Sequence, residues 1–384
     1  MRRSRIGGAA KGRGKIFGLL LILAVLQLAG LPALGQVAQN FDDVAAQAAA
    51  ARDVRDIPHA IDLYTEAVRI NPKWQDGWWF LGSLQYGSGA YAPAIEALTH
   101  FLELKPNAAP ALALRGLCEF ESGSYDLSLM DIQKAIAFGA ANDTRNEQIL
   151  RYHEAILLTR LGRFQDALKS FSYFAEHKIA NPELFVSIGL AGLRMPILPK
   201  DVSPDQQPLV AAAGNAAYQF MSGDEKSAEA AFQNVFAQFP TAANIHYLYG
   251  HLLFTTDPDS ALVQFQRELE VAPSNTTAEV MTAWAFLMRN RPAEALPYAK
   301  TAAGQQPQQA AAQLVLGRSL MDTEDLTGGI QHLEQALKLE PDNLEVHIAL
   351  AKAYSKSGRK DDARRERMLC LQLTEANATQ LAHP

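Results

Sequence analysis

In the stretch YAPAIEALTHFLEL (91–104), Ala94, Ile95, Leu98, Phe101 and Leu102 recur at i, i+1, i+4, i+7 and i+8. That spacing places them on one face of a helix, with polar side chains on the other. The same pattern returns along the chain. A small residue followed four later by a bulky one occurs at Ala60 and Tyr64, Ala94 and Leu98, Ala167 and Phe171, Ala228 and Phe232, and Ala261 and Phe265. Other helical patterns carry a small residue at a fixed place, at Gly82, Gly116, Gly250 or Gly317. A turn glycine separates the two kinds of helix at Gly89, Gly123, Gly162, Gly223 and Gly358. Prolines punctuate the series at Pro72, Pro106, Pro240, Pro273, Pro307 and Pro341, with neighbouring spacings of 34, then 33, 34 and 34 residues.

Such a period signals a stacked array of helix pairs. Small residues let the two helices of a pair approach closely, and proline stops the second helix and turns the chain into the next unit. One pair cannot bury both of its sides, whereas stacked neighbours can. The abundance of alanine and the scarcity of β-branched residues agree with helices.

On Trp78, Leu81, Gly82, Ala94 and Pro106 the chain resembles the tetratricopeptide repeat family, whose pattern is W-x2-L-G…A…P. The resemblance implies an all-α, right-handed α-solenoid of stacked helix-turn-helix units. They fall at 41–74, 75–108, 109–142, 148–181, 209–242, 243–275, 276–309, 310–343 and 344–375. Gly116, Ala167, Ala228, Gly317 and Pro341 take the corresponding structural positions elsewhere. The first and last units fit the pattern least well, as end-caps facing water would.

One stretch breaks the rhythm. NPELFVSIGLAGLR (181–194) reads as a first helix without its partner, and MPILPKDVSPDQQP (195–208) holds four prolines in 14 residues. Regular helix is forbidden there. The expected organisation is an N-terminal repeat block over 36–194, a Pro-rich loop or linker over 195–208, a C-terminal block over 209–375 and a tail over 376–384. Whether 195–208 is a hinge, a lid or a docking site is open at this point.

Residues 1–35 read differently. Arg2, Arg3, Arg5, Lys11, Arg13 and Lys15 precede the apolar run IFGLLLILAVLQLAGL (16–31), and Ala33 and Gly35 stand at the spacing a signal peptidase reads. This is the pattern of a secretory signal peptide, so the protein is expected to be exported, periplasmic or secreted. The alternative is an anchor in the cytoplasmic membrane through residues 16–31, the one membrane contact expected. The formal net charge of −6 becomes about −12 once those six cations are removed, and an acidic chain argues against a nucleic-acid partner. Cys118 and Cys370 lie 252 residues apart and are expected as separate packing thiols.

Motifs for catalysis are missing: the sequence has no HExxH, no G-x-S-x-G, no P-loop and no CxxC. His246 and His251, five apart, do not share a helical face as metal ligands would. No cofactor, no metal site and no catalytic residue is expected. Three N-x-T sequons, at Asn142, Asn275 and Asn377, arise at a rate that chance supplies. The last unit is basic, with Lys352, Lys356, Arg359, Lys360, Arg364, Arg365 and Arg367.

The family resemblance implies a concave surface lined by the first helices, binding peptides through the second, fifth, ninth, twelfth and thirteenth positions of each unit. Carried onto this chain, those positions bring Trp79, Tyr86, Phe120, Tyr152, Phe220, Tyr247, Phe254 and Trp284 to the groove, and Arg318, Lys352 and Lys356 to its far end. The groove is thus expected to be aromatic along most of its length and basic at its end, suited to an apolar segment with an acidic end. Trp78, adjacent to Trp79, is expected to point into its helix pair and Trp79 into the groove, about 100° apart. The clamp by which some family members hold chaperone tails is absent, because Ala45 and Ala49 stand at its positions in the first unit. The function expected is a non-enzymatic scaffold that binds a segment of a partner protein, in envelope assembly. The alternatives are an envelope enzyme or a glycan- or peptide-binding protein with a cryptic site in the groove, and a structural self-assembling array.

Overall fold

The computed structural model describes the backbone of residues 33–140, 144–323 and 325–382, and the side chains of 40–140, 145–323 and 325–375. Nearly all of the expected signal segment therefore lies outside the described residues. Of the described residues 78% are helical, in nineteen α-helices with no strand among them. It is an all-α solenoid of stacked helix pairs. No helix among the described residues is long and apolar enough to cross a membrane, and the apolar run 16–31 is not among them.

Two compact units divide the chain, residues 1–72 and 73–384. In the first, α1 (Ala33–Asp53) packs against α2 (Ile57–Ile70). Val44, Ala48, Ala60, Tyr64 and Ala67 are buried, and Arg52 Nη1 donates to the Tyr64 hydroxyl at 3.1 Å.

The second unit pairs α3 (Gln75–Gly87) with α4 (Tyr91–Leu104), α5 (Ala109–Glu121) with α6 (Tyr125–Ala137) and α7 (Thr144–Arg160) with α8 (Phe164–Glu176). After α9 (Pro182–Gly192) come α10 (Gln207–Met221) with α11 (Glu225–Gln238), and α12 (Ile245–Leu253) with α13 (Pro258–Val271). The series closes with α14 (Thr276–Met288) and α15 (Pro292–Gln305), α16 (Ala310–Asp322) and α17 (Leu326–Leu339), and α18 (Leu344–Lys356) and α19 (Lys360–Ala382).

The prolines act as the sequence implies. Asn71, Lys105, Phe239, Ala272, Gln306 and Glu340 each end a second helix and each precede a proline. Their φ lies between −139° and −127° and their ψ between 58° and 85°. A residue before proline is driven out of the helical region by the proline ring, so these helices stop one residue early enough to turn. The small residues act as contact points. A Cβ on Gly82, Gly116 or Gly317 would stand 2.7 Å from Leu98, 2.9 Å from Ile132 and 2.7 Å from Leu333 respectively. The bulky side chain of each second helix therefore lies directly on the backbone of the first. Leu81, Ala94, Ala167 and Ala228 are buried, while Pro106 and Pro341 lie exposed at the turns.

The Pro-rich segment does not separate two cores. One apolar cluster runs from Leu129 to Leu248, straight through residues 195–208. Leu198 is 2% exposed, and Met195, Ile197 and Val202 pack against the same cluster. Pro199–Asp201 forms a single 3-10 turn. Helix α9, which lacks a partner in the repeat pattern, finds one in α10. A Cβ on Gly189 would lie 1.9 Å from the Val210 carbonyl oxygen, and one on Gly214 1.7 Å from that of Phe185, so the two backbones meet without side chains between them. Four prolines forbid a regular helix but not burial, and the apolar residues between them supply the surface that is buried. The boundary between the two compact units falls between Pro72 and Lys73.

Candidate functional site

The first helices of successive pairs bring equivalent positions side by side, most clearly in α14, α16 and α18. The Arg318 guanidinium lies 4.5 Å from the centre of the Trp284 ring; both occupy ninth positions, 34 residues apart. Such a stack over an indole face is attractive because the ring quadrupole meets the cation. On the next helix, Lys352 Nζ and Lys356 Nζ donate to Asp322 Oδ1 at 3.2 and 2.9 Å. The far end is thus less basic than the sequence suggests: two lysines share one carboxylate. Asp322 is the thirteenth residue of its unit and Lys356 the thirteenth of the next, so their 34-residue separation was the signal that could have found the pair.

Further toward the N-terminus of this unit, the expected groove aromatics are engaged with neighbouring helices. Trp79 packs on Phe101 of α4 with the rings tilted, 5.7 Å between centres, and Trp78 lies 4.5 Å from His100 of the same helix. Both tryptophans are half-buried. The expected contrast, Trp78 inside and Trp79 outside, is therefore weaker than the 100° rotation suggests, because α4 is broad enough to meet both rings. Tyr86 packs on Tyr91 at 6.1 Å. Phe120 of α5 meets His153 of α7 edge-on at 5.0 Å. The Tyr152 hydroxyl lies 3.0 Å from Ser187 Oγ of α9 and donates to Glu183 Oε1 at 3.3 Å; burial first of all pushes this hydroxyl up to about 12.

Phe220 lines a cleft of about 570 Å³ together with Tyr249, Leu253 and the acids Glu225, Glu229 and Asp257. Phe254 is half-buried against Phe265, 6.0 Å between rings. Tyr247 departs from the expectation: it is 3% exposed and so lines no open surface. Arg194, at the end of α9, covers its ring at 5.4 Å. The extra helix α9 fills space that the repeat pattern alone leaves open.

Several buried ionisable groups escaped the sequence reading. Arg115 Nε donates to Asp131 Oδ2 at 2.5 Å and Nη2 to Oδ1 at 3.0 Å, a two-point pairing that ties α5 to α6. Beside it, Glu119 is pushed up to about 7 by burial and by Asp131, against the pull of Arg115. Glu279 is pushed up to about 7 by burial. Glu268 accepts the backbone N–H groups of Asn244 (2.7 Å) and Tyr247 (3.2 Å) and so caps α12. It also accepts Asn275 Nδ2 at 2.9 Å, which commits that sequon's amide to packing. Cys118 and Cys370 are free thiols, and burial pushes Cys118 up to about 12. Among the described residues no group of three or more His, Cys, Asp and Glu is placed to hold a metal.

One tetratricopeptide repeat model matches residues 320–366, and a second matches 45–109, 81–144 and 252–310. Together they span more than half of the 384 residues. No curated protein matches the chain. Among solved structures, the MamA RS-1 ArsTM double mutant is 18% identical, with 44% of this chain and 97% of that one covered and a TM-score of 0.40. MamA from Desulfovibrio magneticus RS-1, residues 41 to the end, is 20% identical, with 45% and 96% covered and a TM-score of 0.38. The APC/C hetero-tetramer Cut9-Hcn1 is 13% identical, with 86% and 66% covered and a TM-score of 0.35. The matched residues lie on both sides of the irregular stretch around α9, on helix pairs built as the repeat requires, and the chain belongs to the tetratricopeptide repeat family.

Proposed function

We propose that this protein is a non-enzymatic scaffold that binds a segment of a partner protein along the faces of its first helices, and that it does so beyond the cytoplasmic membrane, in envelope assembly. The observation that carries the reading is the continuous line Trp284, Arg318, Asp322, Lys352 and Lys356 across α14, α16 and α18. Trp284 and Arg318 are half-buried, and Lys352 and Lys356 are exposed. Side chains held to one another at fixed spacing lose little conformational freedom when a partner arrives, and an indole under a guanidinium offers large area at low entropic cost. The export half of the reading rests on residues 1–35 and their signal-peptide pattern. Pull-downs from envelope extracts test the whole. A partner whose capture is weakened by Trp284→Ala or Trp79→Ala supports the reading; capture that neither substitution weakens overturns the binding face. N-terminal sequencing of the mature protein tests export, with a start at Gln36 expected.

A further inference from the structure

The repeat interfaces inside the second unit show what fits between the two helices of a pair. Helix α16 packs on α14 and α15, and α18 packs on α16 and α17. Val280, Leu314 and Ile348 occupy the same fifth position of three successive first helices. The first two are 8% and 5% exposed because a following first helix covers them, whereas Ile348 is 47% exposed. The second helices repeat the contrast. Leu337 is partly buried in the core that includes α18, while Leu371, its counterpart 34 residues later, is 65% exposed. Between α18 and α19 this leaves a groove of about 510 Å³, floored by Leu344, Ile348, Ala351 and Leu371 and rimmed by Lys352 and Arg367.

We propose that this groove takes up an amphipathic helix of another protein, seated where a further first helix would lie and carrying acidic side chains along one flank. The fold supplies an internal template: the two preceding grooves, over α14 and α15 and over α16 and α17, are filled by the 13-residue first helices α16 and α18. Charge selects the flank. Lys352 shares the single carboxylate of Asp322 with Lys356, and Arg367 donates to Ser355 Oγ at 3.1 Å and forms no ion pair among the described residues. The rim therefore keeps uncompensated positive charge. A second copy docking this face about a two-fold axis would set one positive rim against the other, and like charges brought together at an interface are penalised. This groove adjoins the first-helix face proposed above and shares Lys352 with it, but Ile348, Leu371 and Arg367 lie outside that line, so a test read at these three residues fails or succeeds independently of that reading.

The probe is a stapled synthetic helix with the sequence of residues 310–322, one of the chain's own first helices, in which Arg318→Glu supplies the acidic flank. Fluorescence anisotropy with the full chain is expected to give a Kd on the order of micromolar. Ile348→Asp and Leu371→Asp, both at exposed positions, are expected to weaken binding at least about tenfold while leaving the circular-dichroism melting curve in place. The same peptide with Arg318 retained is expected to bind several-fold more weakly, and Arg367→Glu to reverse that order. No binding of the acidic peptide, or binding that Ile348→Asp leaves unchanged, overturns the proposal. So does concentration-dependent self-association that Ile348→Asp abolishes, which puts a second copy in the groove. A photo-crosslinker at position 348 that reacts only within its own chain overturns it as well, since the occupant is then internal.

Discussion

The contact between Gly250 and Phe265 is the sharpest test of how the helix pairs are held. Phe265 is fully buried, and its ring lies on Gly250 so closely that a Cβ there would stand 2.7 Å from Cε1 and 2.8 Å from Cδ1, with the Ala261 carbonyl oxygen 3.1 Å away. Gly250→Ala gains up to about 1 kcal/mol of helix propensity but forces the ring or the helix to move, at about 1–3 kcal/mol. A net loss of about 1–2 kcal/mol is expected. Phe265→Leu, by itself, removes packed ring atoms and costs about 1–2 kcal/mol. Combined, the smaller side chain makes room for the new methyl, and the double variant should be less destabilised than the sum by about 0.5–1.5 kcal/mol. Residual strain against the Ala261 carbonyl keeps the compensation incomplete. Repeat arrays break two-state behaviour, so one melting temperature is a poor readout. Hydrogen exchange of the α12 and α13 amides reads the local opening energy directly, about tenfold in rate per 1.4 kcal/mol. Strictly additive effects, or a Gly250→Ala that slows exchange, would refute the close-contact account of the pair.

Three further outcomes follow from the same packing. Leu198→Ala should cost about 2–4 kcal/mol, because the side chain sits in the shared core; urea denaturation that leaves this variant level with the parent would return 195–208 to a surface linker. Glu119→Gln should stabilise the protein at pH 8 relative to the parent but not at pH 5. The native carboxyl titrates at about 7 against an ordinary 4.5, so the stability its protonated form contributes is complete below about 4.5 and lost as pH rises through 7, a loss the amide avoids; parallel thermal melts at the two pH values check the sign. Trp78→Ala and Trp79→Ala should each cost about 1–3 kcal/mol, since each loses a half-buried ring against α4. If calorimetry finds that Trp79→Ala costs as much as Trp78→Ala and partner capture is unchanged, Trp79 belongs to packing and leaves the proposed binding face.

The candidate site was legible in part. Arg318 over Trp284 joins two residues placed at ninth positions by the period, and Gly82, Gly116 and Gly317 stand where second helices press on first ones. Tyr247 is buried although its position in the unit predicts the groove, because position counting assumes an uninterrupted stack and Arg194, just after the inserted α9, lies over its ring. Asp322 is invisible to a count of cations within the last unit, because it is the thirteenth residue of the preceding unit and its carboxylate neutralises one of them across the interface.

The sequence by itself determined the helix pairs and their period. Pre-proline sterics, the left-handed turns at Gly89, Gly123, Gly162, Gly223 and Gly358 and small-on-large contacts are local or repeat at a fixed interval, so a linear string encodes them. Only the tertiary structure decided three things: that α9 closes on α10 through Gly189 and Gly214, that Leu198 of the proline-rich segment is buried in the shared core, and that Ile348 and Leu371 stay open where Leu314 and Leu337 are covered. Each depends on what lies across a gap between distant segments, and burial is a property of the neighbour that arrives, which no local pattern carries.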